Sequence, residues 1–460
     1  MVNETNAAID TQRKRLFSAL ALPEIAQACS INNGICSLTD QDVSFFRSVF
    51  EHNATHSAFF IPASGVGSRM SDFLQQYIGS RGTEQEEELA HFMKYVKRFA
   101  FYQSISAEWK EKLEKSPVDF LQFCDYLLND QGLNFSGTPK ALFPFHWFEN
   151  KTQSPIDGHL RIGARMSKPI ASFHFTVQQE HLNQLEIVKR ESASRYPFEI
   201  EFSTQLKETD SFVFDELQQP IKNHFGEYIK RPAGHGALLT NLNRIKSPLI
   251  FIKNIDNVSC PKWDQAVNGV WEMLGGILLY LRNSLIELRK EFNIDAFKRL
   301  NEQFDLFDLD TDATQWDDIA ELANRPLRIC GMVKNEGMPG GGPFWILYQG
   351  KKSKQIIEKS QVDLSQLSKL SESTHFNPVI MALSTLDLDG NPFNLNDFVR
   401  EDLSMAVKKN HMGKTVYYME KPGLWNGSMY HWNSVFVEIP SSVFSPVKSV
   451  MDLLHENHSC

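Results

Sequence analysis

The sequence has few cysteines and no cysteine motif. Its 460 residues include six cysteines, which are scattered without a CxxC pair or a regular spacing. This pattern favours reduced thiols in a cytosolic protein over a disulfide framework. The cysteines are Cys29, Cys36, Cys124, Cys260, Cys330 and Cys460.

The sequence also lacks an apolar run long enough to cross a membrane. The best candidate, VWEMLGGILLYL at 270–281, is too short, is flanked by Glu, Arg and Lys, and is predicted to be a buried helix. The N-terminal residues MVNETNAAIDTQRKRLFSAL contain no long apolar core of the kind that a signal peptide has. We therefore expect a cytoplasmic protein without a membrane partner.

Basic residues are not in excess. The chain has 47 Lys and Arg against 56 Asp and Glu, a formal net charge of −9. A nucleic-acid-binding protein would normally present a basic face, so we expect no nucleic-acid partner. A nucleotide substrate is still possible, because a few local cations are enough to bind its phosphates.

Several catalytic motifs are missing as well. There is no GxxxxGK[ST] loop, no HExxH pair and no GxSxG elbow, which argues against a P-loop ATPase, a zinc protease and an α/β-hydrolase. A GxGxxG turn followed by an acidic residue at the expected distance is also missing, so an NAD site is not expected.

Short β-type runs alternate with helical stretches over most of the chain. Runs at 59–61, 171–177, 198–204, 249–254, 326–334 and 434–439 are predicted strands, and a long helix is expected at about 263–292. This alternation favours an α/β fold with a mixed, mostly parallel sheet and helices on both faces. We predict an N-terminal helical segment at 1–55, an α/β domain at 56–400 with a helical insertion at 71–136, and a C-terminal segment at 401–460 that completes the domain.

The stretch FFIPASGVGSRM at 59–70 ends a predicted strand at Pro62 and enters a helix near Met70. Between them lie small residues whose backbone can turn sharply. N–H groups at a helix start can bind an anion, although a plain turn between strand and helix fits the pattern equally well. The candidate phosphate-binding residues of this turn are Ser64, Gly65, Gly67, Ser68 and Arg69.

Two further clusters have the same ambiguity. In GTPKALFPF at 137–145, Lys140 is either a surface lysine beside a turn or a point charge for phosphate. In KRPAGHGALLTNL at 230–242, Gly234 and Gly236 flank His235 at the start of a predicted helix. Such a glycine-flanked entry either is only a turn or lets a flat base or a phosphate approach the backbone closely.

The run FIKNIDNV at 251–258 ends a strongly β-type segment in a lysine, two asparagines and an aspartate. Asp256 is therefore expected at the carboxyl edge of the sheet, where ligands bind in open α/β folds. Carboxylates at such edges commonly hold Mg²⁺ together with substrate phosphates. A turn alone would not require both Lys253 and Asp256, so we favour a functional role for them and for Asn257.

In order along the chain, PASGVGSRM, the Pro-Lys at 139–140, RPAGHGALLTNL and FIKNIDNV resemble the nucleotidyltransferases that make nucleotide sugars. The similarity is greatest to the large UDP-sugar pyrophosphorylases, including the UDP-N-acetylhexosamine type. RICGMVKNEG at 328–337 and QIIEKSQVDL at 355–364 resemble their second half. PGGGPFW at 339–345, STHFNPV at 373–379 and GLWNGSM at 423–429 resemble an uncharacterised bacterial family, the domain of unknown function 4301, over most of residues 58–450.

The resemblance implies a Rossmann-like nucleotidyltransferase fold of the GT-A type. It also implies an NTP, with UTP favoured, and a sugar-1-phosphate as substrates, and Mg²⁺ as cofactor. The residues that it implies are Ser64 to Arg69 for the β- and γ-phosphates, Lys140 as a bridge between phosphates, Asp256 for Mg²⁺, Gly234 to Gly236 for the base, and Lys334, Glu358 and Asn377 for the sugar side.

Two features depart from that family. Arg69 and Lys140 lie 71 positions apart across the predicted insertion, and Ser64 stands where a glycine is usual. A catalytically silent nucleotide-binding or sugar-binding regulatory protein on the same scaffold is therefore the alternative, because a fold does not guarantee a function.

Overall fold

A computed structural model describes residues 2–18, 22–65, 70–115, 118–307, 315–337, 341–411 and 414–460. From the N-terminus the elements are α1 (Val2–Phe17), β1 (Glu24–Ala28), β2 (Ser30–Ile31), β3 (Gly34–Cys36), α2 (Asp40–Asn53), β4 (Ser57–Pro62), α3 (Asp72–Gly79), α4 (Glu86–Tyr95), α5 (Ala107–Lys115), α6 (Phe120–Leu128), β5 (His146–Phe148), β6 (Lys151–Gln153), α7 (Pro155–Ala164), β7 (Ser172–Val177), α8 (Leu182–Ala193) and β8 (Glu199–Thr204). They continue with β9 (Ser211–Phe212), β10 (Lys230–Arg231), α9 (Leu239–Leu242), β11 (Leu249–Lys253), α10 (Asp264–Lys290), α11 (Ile294–Phe304), α12 (Ala320–Ala323), β12 (Leu327–Lys334), β13 (Gly342–Tyr348), β14 (Lys351–Ile357), α13 (Leu367–Ser371), β15 (His375–Phe376), β16 (Ile380–Ser384), β17 (Met405–His411), β18 (Lys414–Glu420) and β19 (Asn433–Glu438).

The chain forms two compact units. The first unit comprises residues 1–60, 203–252 and 271–440, and the second comprises 61–202, 253–270 and 441–460. Our predicted segments 1–55, 56–400 and 401–460 divide the chain differently and remain a prediction.

The first unit contains most of the main sheet. Its strand order is β2-β3-β19-β12-β16-β11-β4. β11 runs parallel to β4 and β12 runs parallel to β19, whereas β12 and β16 are antiparallel. β1, β13 and β14 form a separate antiparallel sheet, and β17 and β18 form a hairpin.

Alternate residues of β4 and β11 face helices on opposite sides. Phe251 packs on Phe59, on Phe50 of α2 and on Trp271 of α10, with ring centroids 5.1–6.2 Å apart. On the other face, Ile250, Ile252 and Phe60 share a buried cluster with the leucines of α9. The predicted α/β fold with a mixed sheet and helices on both faces is confirmed.

The second unit contains β7, most of β8 and the helical insertion. Aromatic residues of the insertion and of the stretch that follows it form its core, together with Val447, Val450 and Leu453. Residues 441–460 are thus held by apolar contacts inside this unit, whereas residues 401–440 belong to the first unit. The buried aromatic residues are Phe73, Phe92, Phe99, Phe101, Phe123, Phe135, Phe143 and Phe145.

Two predictions need correction. The thiols are not all reduced, because Cys260 and Cys460 form a disulfide, while the other four cysteines are free and buried. Their spacing of 200 residues leaves no signature in the sequence. Residues 1–55 are not only helical, because β1, β2 and β3 lie between α1 and α2.

In the described part of the chain, no helix has the length and apolarity that crossing a membrane requires.

Gly158 of α7 lies directly against the loop that follows β11. A Cβ at this position would lie 2.2 Å from Val258 Cγ1. We expect Gly158→Ala to destabilise the protein by about 1–3 kcal/mol, because the loop must shift to admit the methyl group. Urea unfolding would measure the change, with Gly79→Ala as the control, since nothing lies within 4 Å of a Cβ there. Equal stabilities of the two variants would show that this contact is not tight.

Candidate functional site

The carboxylate of Asp256 lies in the second unit, three residues after the end of β11. Asp256 is buried, and its Oδ2 accepts hydrogen bonds from Lys140 Nζ at 2.8 Å and from Lys448 Nζ at 3.1 Å. The Lys140 side chain is only 11% exposed, whereas that of Lys448 is 63% exposed. One acid therefore holds two ammonium groups, one inside the protein and one at its surface. We call these three residues the lysine–aspartate cluster.

The C-terminal segment runs along the loop that presents Asp256. The Val447 N–H donates to the Asp256 carbonyl at 3.1 Å, and the Ser445 N–H donates to Asn257 Oδ1 at 2.9 Å. Further along, the Cys260 N–H donates to the Asn457 carbonyl at 2.8 Å. These bonds place Lys448 next to Asp256 and give the predicted residue Asn257 a positioning role.

Helix α7 supports the same loop from the other side. Ser154 caps the helix by accepting the Asp157 N–H, so the helix begins at a fixed point. His159 Nε2 donates to the Ile255 carbonyl at 3.2 Å. Arg161 binds both carboxylate oxygens of Asp264, at 2.9 and 3.2 Å, and also donates to the Ser259 carbonyl at 2.9 Å.

Burial and charge compete at these groups. Burial raises the pKa of Asp256, but the ammonium groups of Lys140 and Lys448 outweigh it, and the pKa lies below the ordinary value for aspartate. Burial lowers the pKa of Lys253 to about 7 and that of His159 to about 3. Asp256 is therefore ionised at neutral pH, and His159 is uncharged.

The opening turn is described only in part. The Ser64 carbonyl accepts a hydrogen bond from Gln178 Nε2 at 2.8 Å, and a Cβ at Gly65 would meet nothing within 4 Å. The predicted residues Gly67, Ser68 and Arg69 lie outside the described residues. Their assignment to phosphate stays a prediction.

The predicted base-binding loop lies in the first unit. Gly234 has a φ of +72°, and a Cβ there would lie 2.8 Å from Glu420 Oε2, so only glycine fits. A Cβ at Gly236 would lie 2.0 Å from the Pro422 carbonyl oxygen. His235 stacks on Trp425 with centroids 4.2 Å apart and an angle of 19° between the rings.

The predicted sugar-side residues lie in the same unit. Trp425 Nε1 donates to Glu358 Oε1 at 3.3 Å, and burial raises the pKa of Glu358. The Asn377 N–H donates to the Gly341 carbonyl at 2.7 Å, and a Cβ at Gly341 would lie 3.1 Å from Glu358 Cγ. Lys334 is 70% exposed and lies 4.0 Å from Glu438. Trp425 thus joins Glu358 to His235, and Gly341 lies between Glu358 and Asn377.

Lys448 was missed by the sequence analysis. It occurs in FSPVKS at 444–449, where apolar residues and a proline flank a lysine much as they do in PKALFPF around Lys140. That similarity is the signal that could have identified it.

The donor set for a metal ion is small. Among the described residues, no group of three or more His, Cys, Asp or Glu side chains could hold one. Mg²⁺ often binds through one or two carboxylates together with substrate phosphates, so Asp256 fits an ion that arrives with a nucleotide.

Comparison with known proteins gives a family and several similar structures. The model of the family described as "Domain of unknown function (DUF4301)" matches residues 2–459. A search of curated proteins finds no match. The uridine diphosphate N-acetylglucosamine pyrophosphorylase of Trypanosoma brucei has a TM-score of 0.49 and 11% identity, with 98% of this chain and 74% of that chain covered. The UDP-glucose phosphorylase of the same organism has a TM-score of 0.46 and 12% identity, covering 98% and 73%. The inositol-1-phosphate CTP transferase of T. maritima has a TM-score of 0.35 and 9% identity, covering 88% and 93%.

His159 should make stability depend on pH. Its pKa in the folded protein is about 3, below the ordinary 6.5, so only the unfolded chain takes up this proton as pH falls. The resulting loss of stability is about 1.4 kcal/mol for each pH unit. We expect His159→Gln to show a shallower loss between pH 6 and pH 4 in urea unfolding, whereas the exposed His91→Gln should match the wild type. Parallel pH profiles for all three proteins would contradict the assignment.

Proposed function

We propose that this chain, which belongs to the DUF4301 family, is a nucleotidyltransferase. It joins an NTP and a sugar-1-phosphate to give a nucleotide sugar and pyrophosphate. The observation that supports this most strongly is the lysine–aspartate cluster at the end of a buried parallel strand. The order of the glycine-bearing loops along the chain, which resembles that of the UDP-sugar pyrophosphorylases, supports it as well.

Nucleotidyl transfer requires positive charge at the phosphates and their correct alignment, and it does not require a general base. An oxygen of the sugar-1-phosphate attacks the α-phosphorus of the NTP in line, and the bond from that phosphorus to the leaving pyrophosphate breaks. The attacking oxygen is already anionic, so no proton has to be removed. Catalysis then depends on holding the phosphates in line and neutralising their charge.

Lys140 and Lys448 supply that charge. An ammonium group is a compact point charge with three donors, well suited to phosphate oxygens. Without substrate, Asp256 holds both ammonium groups close to one point. We propose that each lysine turns from Asp256 to a phosphate oxygen when the NTP binds. Lys253, the last residue of β11, adds positive charge when it is protonated.

Asp256 would hold Mg²⁺ once the lysines have moved to the phosphates. When bound there, the ion supplies positive charge to the phosphates and helps to align them. Ser64 and Gly65 begin the turn that we propose for the β- and γ-phosphates, together with Gly67, Ser68 and Arg69. By resemblance, the loop from Gly234 to Gly236 receives the base, with UTP the favoured nucleotide. Lys334, Glu358 and Asn377 contact the sugar side.

The activity can be tested without knowing the substrates. We expect one NTP with Mg²⁺ to raise the melting temperature, and one sugar-1-phosphate of a panel to trigger pyrophosphate release. Pyrophosphate release without any sugar phosphate would indicate simple NTP hydrolysis and contradict the proposal. Nucleotide binding with no release across the panel would favour the silent binding protein.

Lys448 offers the cleanest test of the cluster, since its exposed side chain can be removed without leaving a cavity. We expect Lys448→Ala to lower the rate of pyrophosphate release at least tenfold and to fold normally. Lys140→Ala should lose at least as much activity, and the double variant should lose less than the product of the two effects, because both cations act on one phosphate group. The exposed Lys94→Ala is the control. Unchanged turnover in Lys448→Ala would remove that lysine from the mechanism.

A further inference from the structure

A pocket of about 480 Å³ in the first unit is separate from the residues assigned so far. Its wall includes the later part of β13, the turn after it and the start of β14. The start of β19 also lines it. The volume suits a small metabolite. Its charged residues are Asp305, Arg325, Lys351, Lys352 and Lys354. Four cations thus face one carboxylate, in a chain whose overall charge is negative.

The single carboxylate does not cancel these charges. Asp305 supplies one negative charge against four positive ones, and its Oδ2 accepts the Gly34 N–H at 2.9 Å. Lys352 Nζ lies 4.2 Å above the ring of Trp345, which has no formal charge. Arg325 pairs with Glu321, whose side chain is 94% exposed, so water weakens that pair. The lining therefore keeps positive charge available to a ligand.

Two of the cations at the pocket are buried. Lys354, one of the four in the lining, donates from Nζ to the Phe304 carbonyl at 3.0 Å. Arg328, which is 0% exposed, donates to the neutral groups Ser434 Oγ at 2.7 Å and Gln355 Oε1 at 3.4 Å, and both of these residues line the pocket. Burial of a cation against neutral acceptors is costly, and a nearby anion would reduce that cost.

The pocket lies at the opposite end of β12 from Lys334. Arg325 precedes β12, and Asn433 and Ser434 begin the parallel strand β19. Lys334 and Glu438 end those two strands. With a rise of about 3.3 Å per residue, the two ends of β12 are about 23 Å apart. A ligand in the pocket would therefore not reach Lys334.

We propose that this pocket binds a phosphorylated small molecule, with its phosphate held by Lys352 and Arg325. Ammonium and guanidinium groups both bind phosphate oxygens well. The volume admits either a sugar phosphate or a mononucleotide, which share the phosphate monoester. The proposal does not depend on nucleotidyl transfer.

Isothermal titration calorimetry on the full chain tests it, with inorganic phosphate, glucose 6-phosphate and adenosine 5′-monophosphate as probes. We expect at least one probe to bind saturably and Lys351→Glu/Lys352→Glu to raise its Kd at least tenfold. The matched control is Lys408→Glu/Lys409→Glu, an adjacent pair on the β17–β18 hairpin with the same change of charge. Tighter binding of glucose 6-phosphate would identify a sugar phosphate, and tighter binding of adenosine 5′-monophosphate a nucleotide.

Lys448→Ala separates this pocket from the lysine–aspartate cluster. Binding that survives Lys448→Ala and fails in Lys351→Glu/Lys352→Glu supports the proposal. Binding that fails only in Lys448→Ala overturns it, as does the absence of saturable binding for all three probes. If the double variant does not fold by circular dichroism, Arg325→Gln replaces it, with an expected rise in Kd of at least threefold. An unchanged Kd in that variant overturns the proposal.

Discussion

The buried carboxylate of Asp256 has to be neutralised, and two lysines from distant parts of the chain do so. Lys140 lies 116 residues before Asp256 and Lys448 lies 192 residues after it. A carboxylate that is about nine-tenths buried is stable only with counter-charges and hydrogen bonds around it. The loop after β11, the insertion and the C-terminal segment must therefore all be folded before this site exists.

The rest of the second unit holds Lys140 and Lys448 in place beside Asp256. The aromatic core of the second unit includes Phe143 and Phe145, which follow Lys140 and fix its position. Val447 belongs to the same core and fixes Lys448 in the same way. The disulfide between Cys260 and Cys460 joins the Asp256 loop to the C-terminal segment a second time. Inserting residues between two ends that meet costs little closure entropy, so the insertion can leave Lys140 in place.

Local patterns in the sequence predicted the framework well. The continuous apolar runs of β4 and β11 identified buried parallel strands, and the polar residues after β11 placed Asp256 at the strand end. Long-range contacts were harder to predict. Lys448 shares only a loose local pattern with Lys140, because its importance comes from a contact with a residue far away in the chain. The disulfide was missed for the same reason, and the alternating residues of the β17–β18 hairpin were not recognised. The role of Arg69 remains a prediction, because the residue lies outside the described part of the chain.

A crystal structure with a non-hydrolysable NTP analogue and Mg²⁺ would test the central claim most directly. The account predicts that the β- and γ-phosphates lie within hydrogen-bond distance of Lys140 and Lys448, with Asp256 released from both lysines. An analogue bound elsewhere, with the Lys140–Asp256 and Lys448–Asp256 pairs intact, would contradict it.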